Sequence, residues 1–413
     1  MTKLEAMLKY VSEHNDFYKE RIKKYKITNP LDITQWPVLT RKEVQKNRYN
    51  MFSDGYKSKY FNQQLRRQSS SGSTGMPVNV YWDYKDWYAS NMLLWRKRLQ
   101  WYGIHPSDKY VMFTLNAFNV KNDGETIYYI KNPANLLSVN VSLIQNEDGY
   151  NKLVDIINEF EPKWFYIQPF ILNRLIQAYK RTGKMPPKKL KYIESIGELL
   201  PSDLKKRSID FFKVPLANMY GSEEINGIAY ECPIHHMHVL SENVYLEVRN
   251  EKGIFTSGEG ESIITNLNNF AMPLIRYDQG DSLVVNNKTK RCICKTSSSI
   301  IEILQGRTLD KIILKNGFEL TSIVLMEFIA EANNRLSGAI LEYEYTYSNS
   351  KKRLVCSIRL DEQKQDQFKK IQEILKDIFI QKCAASTFLC MDIVLMDNKK
   401  FVKKKNKILN IIN

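Results

Sequence analysis

Between about residues 85 and 219 the chain alternates helical and extended patterns, and this alternation restricts its fold more than any other feature. A helical period over 85–101 gives way to an extended run at 110–115. Helical stretches at 150–160, 171–180 and 202–212 then separate extended runs at 164–167, 191–195 and 215–219. Strands divided by helices predict a parallel, doubly wound sheet, because a parallel neighbour is reached through a crossover long enough to hold a helix. From about 240 to 304 the runs shorten (244–248, 261–265, 282–285) and are broken by Gly and Asn, which predicts an antiparallel β portion. After Gly306 the order helix, strand, strand, helix, strand over 322–396 predicts a small α+β unit.

The first sixty residues read as helical and irregular. Leu4, Met7, Leu8 and Val11 fall at i, i+3, i+4 and i+7, one apolar helix face. Thr40 followed by Glu43 predicts a capped helix start after the loop at Trp36-Pro37. The apolar stretches at 136–139 and 312–314 are far shorter than the roughly 18–20 residues that span a bilayer. The N-terminal residues show no apolar core of a signal peptide, so a cytoplasmic protein is expected. Six cysteines in 413 residues are too few for a disulfide scaffold and read as reduced thiols.

The most turn-rich segment is Gln68-Ser-Ser-Ser-Gly-Ser-Thr-Gly-Met-Pro77, followed by the alternating strand Val78-Asn-Val-Tyr-Trp82. Gly72 and Gly75 let the backbone turn tightly and bring N–H groups to an anion, while Ser71, Ser73 and Thr74 add hydroxyl donors. The spacing is not that of a Walker loop, and taken alone the segment also fits a solvated Ser/Gly loop. Three further segments follow in order: Asn218-Met-Tyr-Gly-Ser-Glu-Glu224, Leu274-Ile-Arg-Tyr-Asp-Gln-Gly-Asp281, and Gly306-Arg307-Thr-Leu-Asp310 with Lys315-Asn-Gly317.

Together these four segments resemble the motifs of the adenylate-forming superfamily, the acyl-CoA synthetases and their relatives. Asn15-Asp-Phe-Tyr-Lys-Glu-Arg21 and Trp36-Pro-Val-Leu-Thr-Arg-Lys-Glu43 are similar to the openings of phenylacetate–CoA ligases and their capsular polysaccharide biosynthesis relatives. The resemblance is clearest at 15–82 and 190–317 and faintest in the last hundred residues. It implies a large ATP- and acid-binding adenylation domain over 1–305, a hinge at 306–310 and a small mobile C-terminal domain over 311–413. It also implies an AMP-forming acid–thiol or acid–amine ligase that makes an acyl-adenylate with ATP and Mg²⁺ and passes the acyl group to CoA or another acceptor.

By the same resemblance, Ser71, Gly72, Ser73, Thr74 and Gly75 would cradle the phosphates. Tyr220, beside Asn218 and Gly221, would lie against adenine. Glu224 would hold Mg²⁺, Asp281 the ribose hydroxyls, and Arg307 would approach ribose or phosphate from the hinge. Gly197 and Glu198 would edge the nucleotide, and Lys407, with Lys405 in reserve, would meet both carboxylate and α-phosphate. Taken singly, Tyr220 reads equally as a core aromatic, Glu224 as a solvated acid, and Arg276 as a structural ion-pair partner. The acid pocket is expected in the 110–170 region, with Phe113, Asn116, Phe118, Tyr166 and Pro169 as candidates, and a core role fits the aromatics among them at least as well. Three departures from the pattern are Met76 where many relatives carry Lys, Glu223 in a usual Thr/Ser position, and Leu309 where an acid is common. They keep open a degenerate nucleotide-binding scaffold without activity.

Cys232-Pro-Ile-His235-His236-Met-His238 and Cys292-Ile-Cys294 bring together the thiol and imidazole groups that close a tetrahedral structural Zn²⁺ site. Cys232, His238, Cys292 and Cys294 are the expected ligands, with His235 as substitute. Lys plus Arg is 61 and Asp plus Glu 45, a net charge of +16, which draws phosphate in some form. A basic nucleic-acid-binding protein would share that charge, but no nucleic-acid-binding motif accompanies it, so no nucleic acid and no stable membrane insertion are expected.

Overall fold

The structure, a computed structural model, describes residues 1–70, 77–114, 128–132, 135–141, 144, 147–287, 292–307, 311–314, 319–336, 338–348, 350–383, 390–396 and 409–412. It divides into two compact units, Met1–Gly103 with Met219–Thr308, and Ile104–Asn218 with Leu309–Asn413.

In the first unit, helices α1 (Lys3–His14), α2 (Asp16–Tyr25), α3 (Arg41–Asn47), α4 (Tyr56–Phe61) and α5 (Tyr84–Tyr102) accompany an antiparallel sheet. The sheet runs in the order Gly253–Phe255, Val244–Asn250, Gly258–Asn266, Tyr277–Asn286, Ile300–Arg307, Met237–Val239, Asn226–Glu231 and the end of Leu216–Ser222. Met7, Leu8 and Val11 are buried on α1, the face expected from their spacing. Thr40 and Glu43 form a reciprocal capping box at the start of α3, which satisfies two backbone donors that the helix itself leaves open. A separate hairpin, Arg66–Ser69 with Asn79–Trp82, frames residues 71–76, which lie outside the described residues.

The second unit holds the parallel sheet, in the order Leu136–Asn140, Tyr110–Thr114, Trp164–Ile167, Tyr192–Ser195 and the start of Leu216–Ser222. Tyr128–Asn132 adds an antiparallel edge. Helices α6 (Glu147–Phe160), α7 (Pro169–Thr182) and α8 (Ser202–Phe212) pack their apolar faces on it around Val111, Phe165, Ile193 and Leu216. Residues 311–413 add α9 (Ser322–Arg335), α10 (Phe368–Lys382) and a four-stranded sheet in the order Cys390–Leu395, Arg353–Leu360, Ile340–Ser348, Leu409–Ile412, with a core of their own. Among the described residues, no helix is long and apolar enough to cross a membrane.

One buried ion pair ties the N-terminal helices to the antiparallel sheet. The Arg276 guanidinium donates to both carboxylate oxygens of Glu247, at 2.9 and 2.6 Å, and to the carbonyls of Thr34 and Trp36. Its backbone carbonyl accepts the Leu39 N–H at 2.8 Å, and its own N–H is taken by the Thr265 hydroxyl. Arg276 is therefore a structural cation. α2 is joined to the same region: Tyr18 Oη donates to the Pro273 carbonyl, and Arg21 pairs with Glu43 at 2.6 Å. Removing one member of a buried pair leaves the other charge uncompensated. Arg276→Met is expected to lower unfolding stability by about 3–5 kcal/mol, and Arg276→Met with Glu247→Leu to regain most of it. Equilibrium denaturation of the two variants checks this.

Candidate active site and metal centre

The strand Leu216–Ser222 and the strand Tyr277–Asn286 carry most of the described site. Gly221 has no alternative there: a Cβ would stand 2.4 Å from the Asn226 carbonyl oxygen, across the tight turn that returns the chain as Asn226–Glu231. This crossing places Tyr220 before the turn and Glu223 and Glu224 within it.

Tyr220 and Asp281 meet directly. The Tyr220 hydroxyl donates to Asp281 Oδ2 at 2.7 Å, and Gln279 Nε2 donates to both, at 3.1 and 2.8 Å. Gln279 and Asp281 share a face because they are two residues apart on one strand. The result is a carboxylate whose position is set by two donors, flanked by an aromatic ring that is half-buried. A planar base and a diol ask for these groups. Across the ladder Asp281 stands opposite Arg307, of which the backbone alone is described.

Glu224 is buried, and its Oε1 lies 3.4 Å from Arg41 Nη1 and 3.4 Å from the Tyr277 hydroxyl. Arg41 also donates to Ser70 Oγ at 2.6 Å, and Ser70 Oγ accepts the Val78 N–H at 3.0 Å. Arg41 thus links the carboxylate to the residue that precedes 71–76. Glu223 is held by Gln68 Nε2 at 3.4 Å, and burial, then the neighbouring Glu224, push its carboxyl above the usual range. Two adjacent carboxylates, one of them buried, form an environment that suits a divalent cation.

Sequence reasoning named Glu224, Tyr220 and Asp281 but not Arg41, Gln279 or Tyr277. Arg41 follows Thr40 as the first helical residue of α3, and capping chemistry alone gave no sign that it reaches a site 183 residues away. Gly197, Glu198 and Asn218 lie in the second unit, Gly197 in the left-handed region at φ 77° and Asn218 paired in the parallel sheet with Ser195. Phe113 is fully buried and packs edge-on against Phe165, so it belongs to the core and not to an acid pocket. Pro169 and Glu198 line a cleft with Phe170, Arg207, Met326 and Tyr343. Ser71, Gly72, Ser73, Thr74, Gly75, Asn116, Phe118, Lys405 and Lys407 lie outside the described residues.

The four expected metal ligands come together. One ligand atom each from Cys232, His238, Cys292 and Cys294 lies within 4.8 Å of the others, and His238 Nε2 is 3.3 Å from Cys294 Sγ. Two similar turns present the thiols. The His235 N–H bonds the Cys232 carbonyl and the Lys295 N–H bonds the Cys292 carbonyl, with His235 and Lys295 both at positive φ. His238 enters from the strand Met237–Val239. His235, the substitute ligand, instead faces Glu231, with Nδ1 2.9 Å from Oε1. Burial pushes the Cys232 thiol up to about 12 in the metal-free protein. Cys232, Cys292, Cys294, Cys356 and Cys383 are all free thiols.

Arg41 offers a test of the site's frame without any ligand. Arg41→Met leaves the buried Glu224 carboxylate, among the described residues, with the Tyr277 hydroxyl as its hydrogen-bond partner and is expected to cost about 1–3 kcal/mol, with Arg41→Lys recovering part of it. Thermal unfolding of the two variants reads the difference.

A family model described as AMP-binding enzyme matches residues 68–250. Comparison with curated proteins gives no match. In structure the chain is similar to a 2-hydroxyisobutyryl-CoA ligase in the postadenylation state in complex with 2-HIB-AMP. That similarity has 15% identity and a TM-score of 0.76, over 99% of this chain and 88% of that one. It is also similar to the anthranilate CoA ligase AuaEII in complex with anthranoyl-AMP, at 15% identity and TM-score 0.54, over 80% and 63% of the two chains. The amide bond synthetase McbA from Marinactinospora thermotolerans gives 11% identity and TM-score 0.52, over 81% and 65%. The 68–250 segment thus matches the AMP-binding enzyme model, and the fold of the chain is that of these ligase structures.

Proposed function

We propose that this protein is an AMP-forming ligase that uses ATP to convert a carboxylic acid to an acyl-adenylate and then transfers the acyl group to CoA. The observation that carries the reading is the shared hydrogen bonding of Tyr220, Gln279 and Asp281 beside the buried Glu224–Arg41 pair. In the first step a carboxylate oxygen attacks the α-phosphorus and pyrophosphate leaves. In the second, the acceptor thiol attacks the acyl carbonyl and AMP leaves.

The chain's part in the first step is placement and charge. Asp281, fixed by Tyr220 and Gln279, would accept the ribose hydroxyls, and the Tyr220 ring would lie against adenine, with Asn218, Gly197 and Glu198 at its edge. Ser71, Ser73 and Thr74, with Gly72 and Gly75, would hold the β- and γ-phosphates. Arg307 and Lys407 would bring the cations that meet charge developing on the α-phosphate. Glu224 would hold Mg²⁺, which supplies neutralisation of the triphosphate when bound. The segment 306–310 would serve as the pivot by which residues 311–413 exchange one step for the other.

Zn²⁺ on Cys232, His238, Cys292 and Cys294 would be structural. Its donor set is one that closes a tetrahedral site, and the ligand atoms need to draw in to roughly 3.3–3.8 Å of one another around the metal. Neighbouring structures bind acyl-AMP and CoA by their descriptions, which supports CoA as acceptor. The openings at 15–21 and 36–43 favour the phenylacetate–CoA ligase branch, and its capsular polysaccharide relatives extend the acceptor to an amine or sugar-linked group.

Pyrophosphate release measured over phenylacetate, anthranilate, 2-hydroxyisobutyrate, fatty and sugar acids, with and without CoA, is expected to single out one acid class. Glu224→Gln should lower the rate at least roughly a hundredfold, and Asp281→Ala should act mainly through the KM for ATP. A panel with no turnover for any acid would return the chain to the scaffold reading. Independently, metal analysis is expected to find one zinc per chain. Its removal by a chelator should lower Tm, and Cys292→Ser with Cys294→Ser should abolish that sensitivity.

A further inference from the structure

Helix α5 is apolar on two faces, and the core uses one of them. Ser90, Leu94 and Arg98 are buried, and Leu94 packs with Tyr230 and Leu240. About a third of a turn around the helix Tyr84, Tyr88, Met92, Trp95 and Leu99 fall at i, i+4, i+8, i+11 and i+15, a stripe within one arc. Four of them are among the most exposed large apolar side chains: Tyr84 46%, Tyr88 60%, Met92 53% and Leu99 44%. Trp95 is half-buried and carries the Arg98 guanidinium 4.7 Å from its ring centroid. The stripe is about 22 Å long at the helical rise.

Its surroundings are basic and aromatic. Lys59 of α4 pairs at 2.7 Å with Asp83, the N-cap of α5, which brings the end of α4 beside the start of the stripe. There Phe61, 72% exposed, stacks at 6.5 Å on Tyr49, itself under Arg48. Lys85 and Arg96 edge the stripe on α5. Residues 41–102 hold twelve Lys and Arg against four Asp and Glu, a surplus of +8, although Arg98 is buried, Arg41 pairs with Glu224 and Arg96 pairs with Glu242 at 2.6 Å.

We infer that the α5 stripe with the Tyr49–Phe61 pair is a docking surface for an anionic lipid bilayer. Aromatic and Met side chains flanked by Lys and Arg match the interfacial zone of a membrane, where rings sit at headgroup depth and cations meet lipid phosphates. Charge selects this occupant over a second copy, because two such surfaces face to face would set like charge against like. The contact is peripheral: the stripe inserts side chains, and α5 keeps its other face in the core.

The test uses the full chain in flotation with phosphatidylcholine vesicles, with and without phosphatidylglycerol, at low and high salt. Binding is expected with phosphatidylglycerol alone and is expected to fall at high salt, each cation near the surface contributing roughly fivefold. Tyr88→Ser with Met92→Ser should weaken binding roughly tenfold or more while leaving Tm and pyrophosphate release unchanged. Met185→Ser, an equally exposed apolar site in the other unit, should leave binding intact. No binding to phosphatidylglycerol vesicles, or binding untouched by the double variant, overturns the inference. A dimer that the double variant dissociates, without vesicle binding, overturns it in favour of a second copy. Because pyrophosphate release is read separately, failure of the lipid surface and failure of the ligase reading are distinguishable.

Discussion

The antiparallel unit is organised around the Arg276 guanidinium. A buried cation needs all its donors answered, and here Glu247 and the carbonyls of Thr34 and Trp36 answer them. Because the two carbonyls come from the loop after α2, the demand for satisfaction holds that loop against the sheet. Leu39 then bonds the Arg276 carbonyl and bridges to Tyr277, and one residue later Thr40 starts α3. The first residue of that helix is Arg41. A structural ion pair therefore decides where the site's guanidinium stands.

The same residue starts the strand that supplies the other side of the site. Arg276 sits at φ 51°, and the chain straightens immediately into Tyr277–Asn286, so Tyr277 and Gln279 alternate with Asp278 across the pleat. Tyr277 reaches Glu224, Gln279 and Asp281 reach Tyr220, and Asp278 turns to Arg249 at 2.5 Å. Strand periodicity divides one short sequence into functional and structural faces. The motif segment 274–281 is compact because it serves both.

Much of this was legible in the sequence, for reasons that differ by residue. The helix and strand periods from 85 to 222 and the capping box at Thr40 are local, and local rules find them. Tyr220, Glu224 and Asp281 were named through the resemblance of their segments to family motifs, and the structure adds what a motif cannot contain, that the first and last share a hydrogen bond. The strands Tyr128–Asn132 and Leu136–Asn140 were missed: 136–139 is a short apolar run whose period does not distinguish strand from buried helix. For Phe113 both a pocket and a core place were open, because alternation along 110–114 tells which side chains are buried but not which buried face meets a ligand, and the structure gives it the core place. Arg41, whose role depends on a partner 183 positions away, has no local signature.

The site's charge balance bears on how a triphosphate would be received. Glu223 and Glu224 lie in the turn after one strand and Asp281 midway along another, and among the described residues guanidiniums oppose the two glutamates: Arg41 pairs with Glu224, and Arg66 lies near enough to Glu223 to oppose its raised carboxyl. Among the described side chains, these charges oppose one another. Met76 in the Ser/Gly loop adds no charge. A triphosphate brought beside Glu224 would need compensation, and a divalent ion held by Glu224 would supply it more locally than distant surface lysines, whose fields fade within about 8–10 Å at ordinary salt. The carboxylate that a phosphate would repel is, on this argument, the reason a metal–nucleotide complex is the better fit than the nucleotide alone.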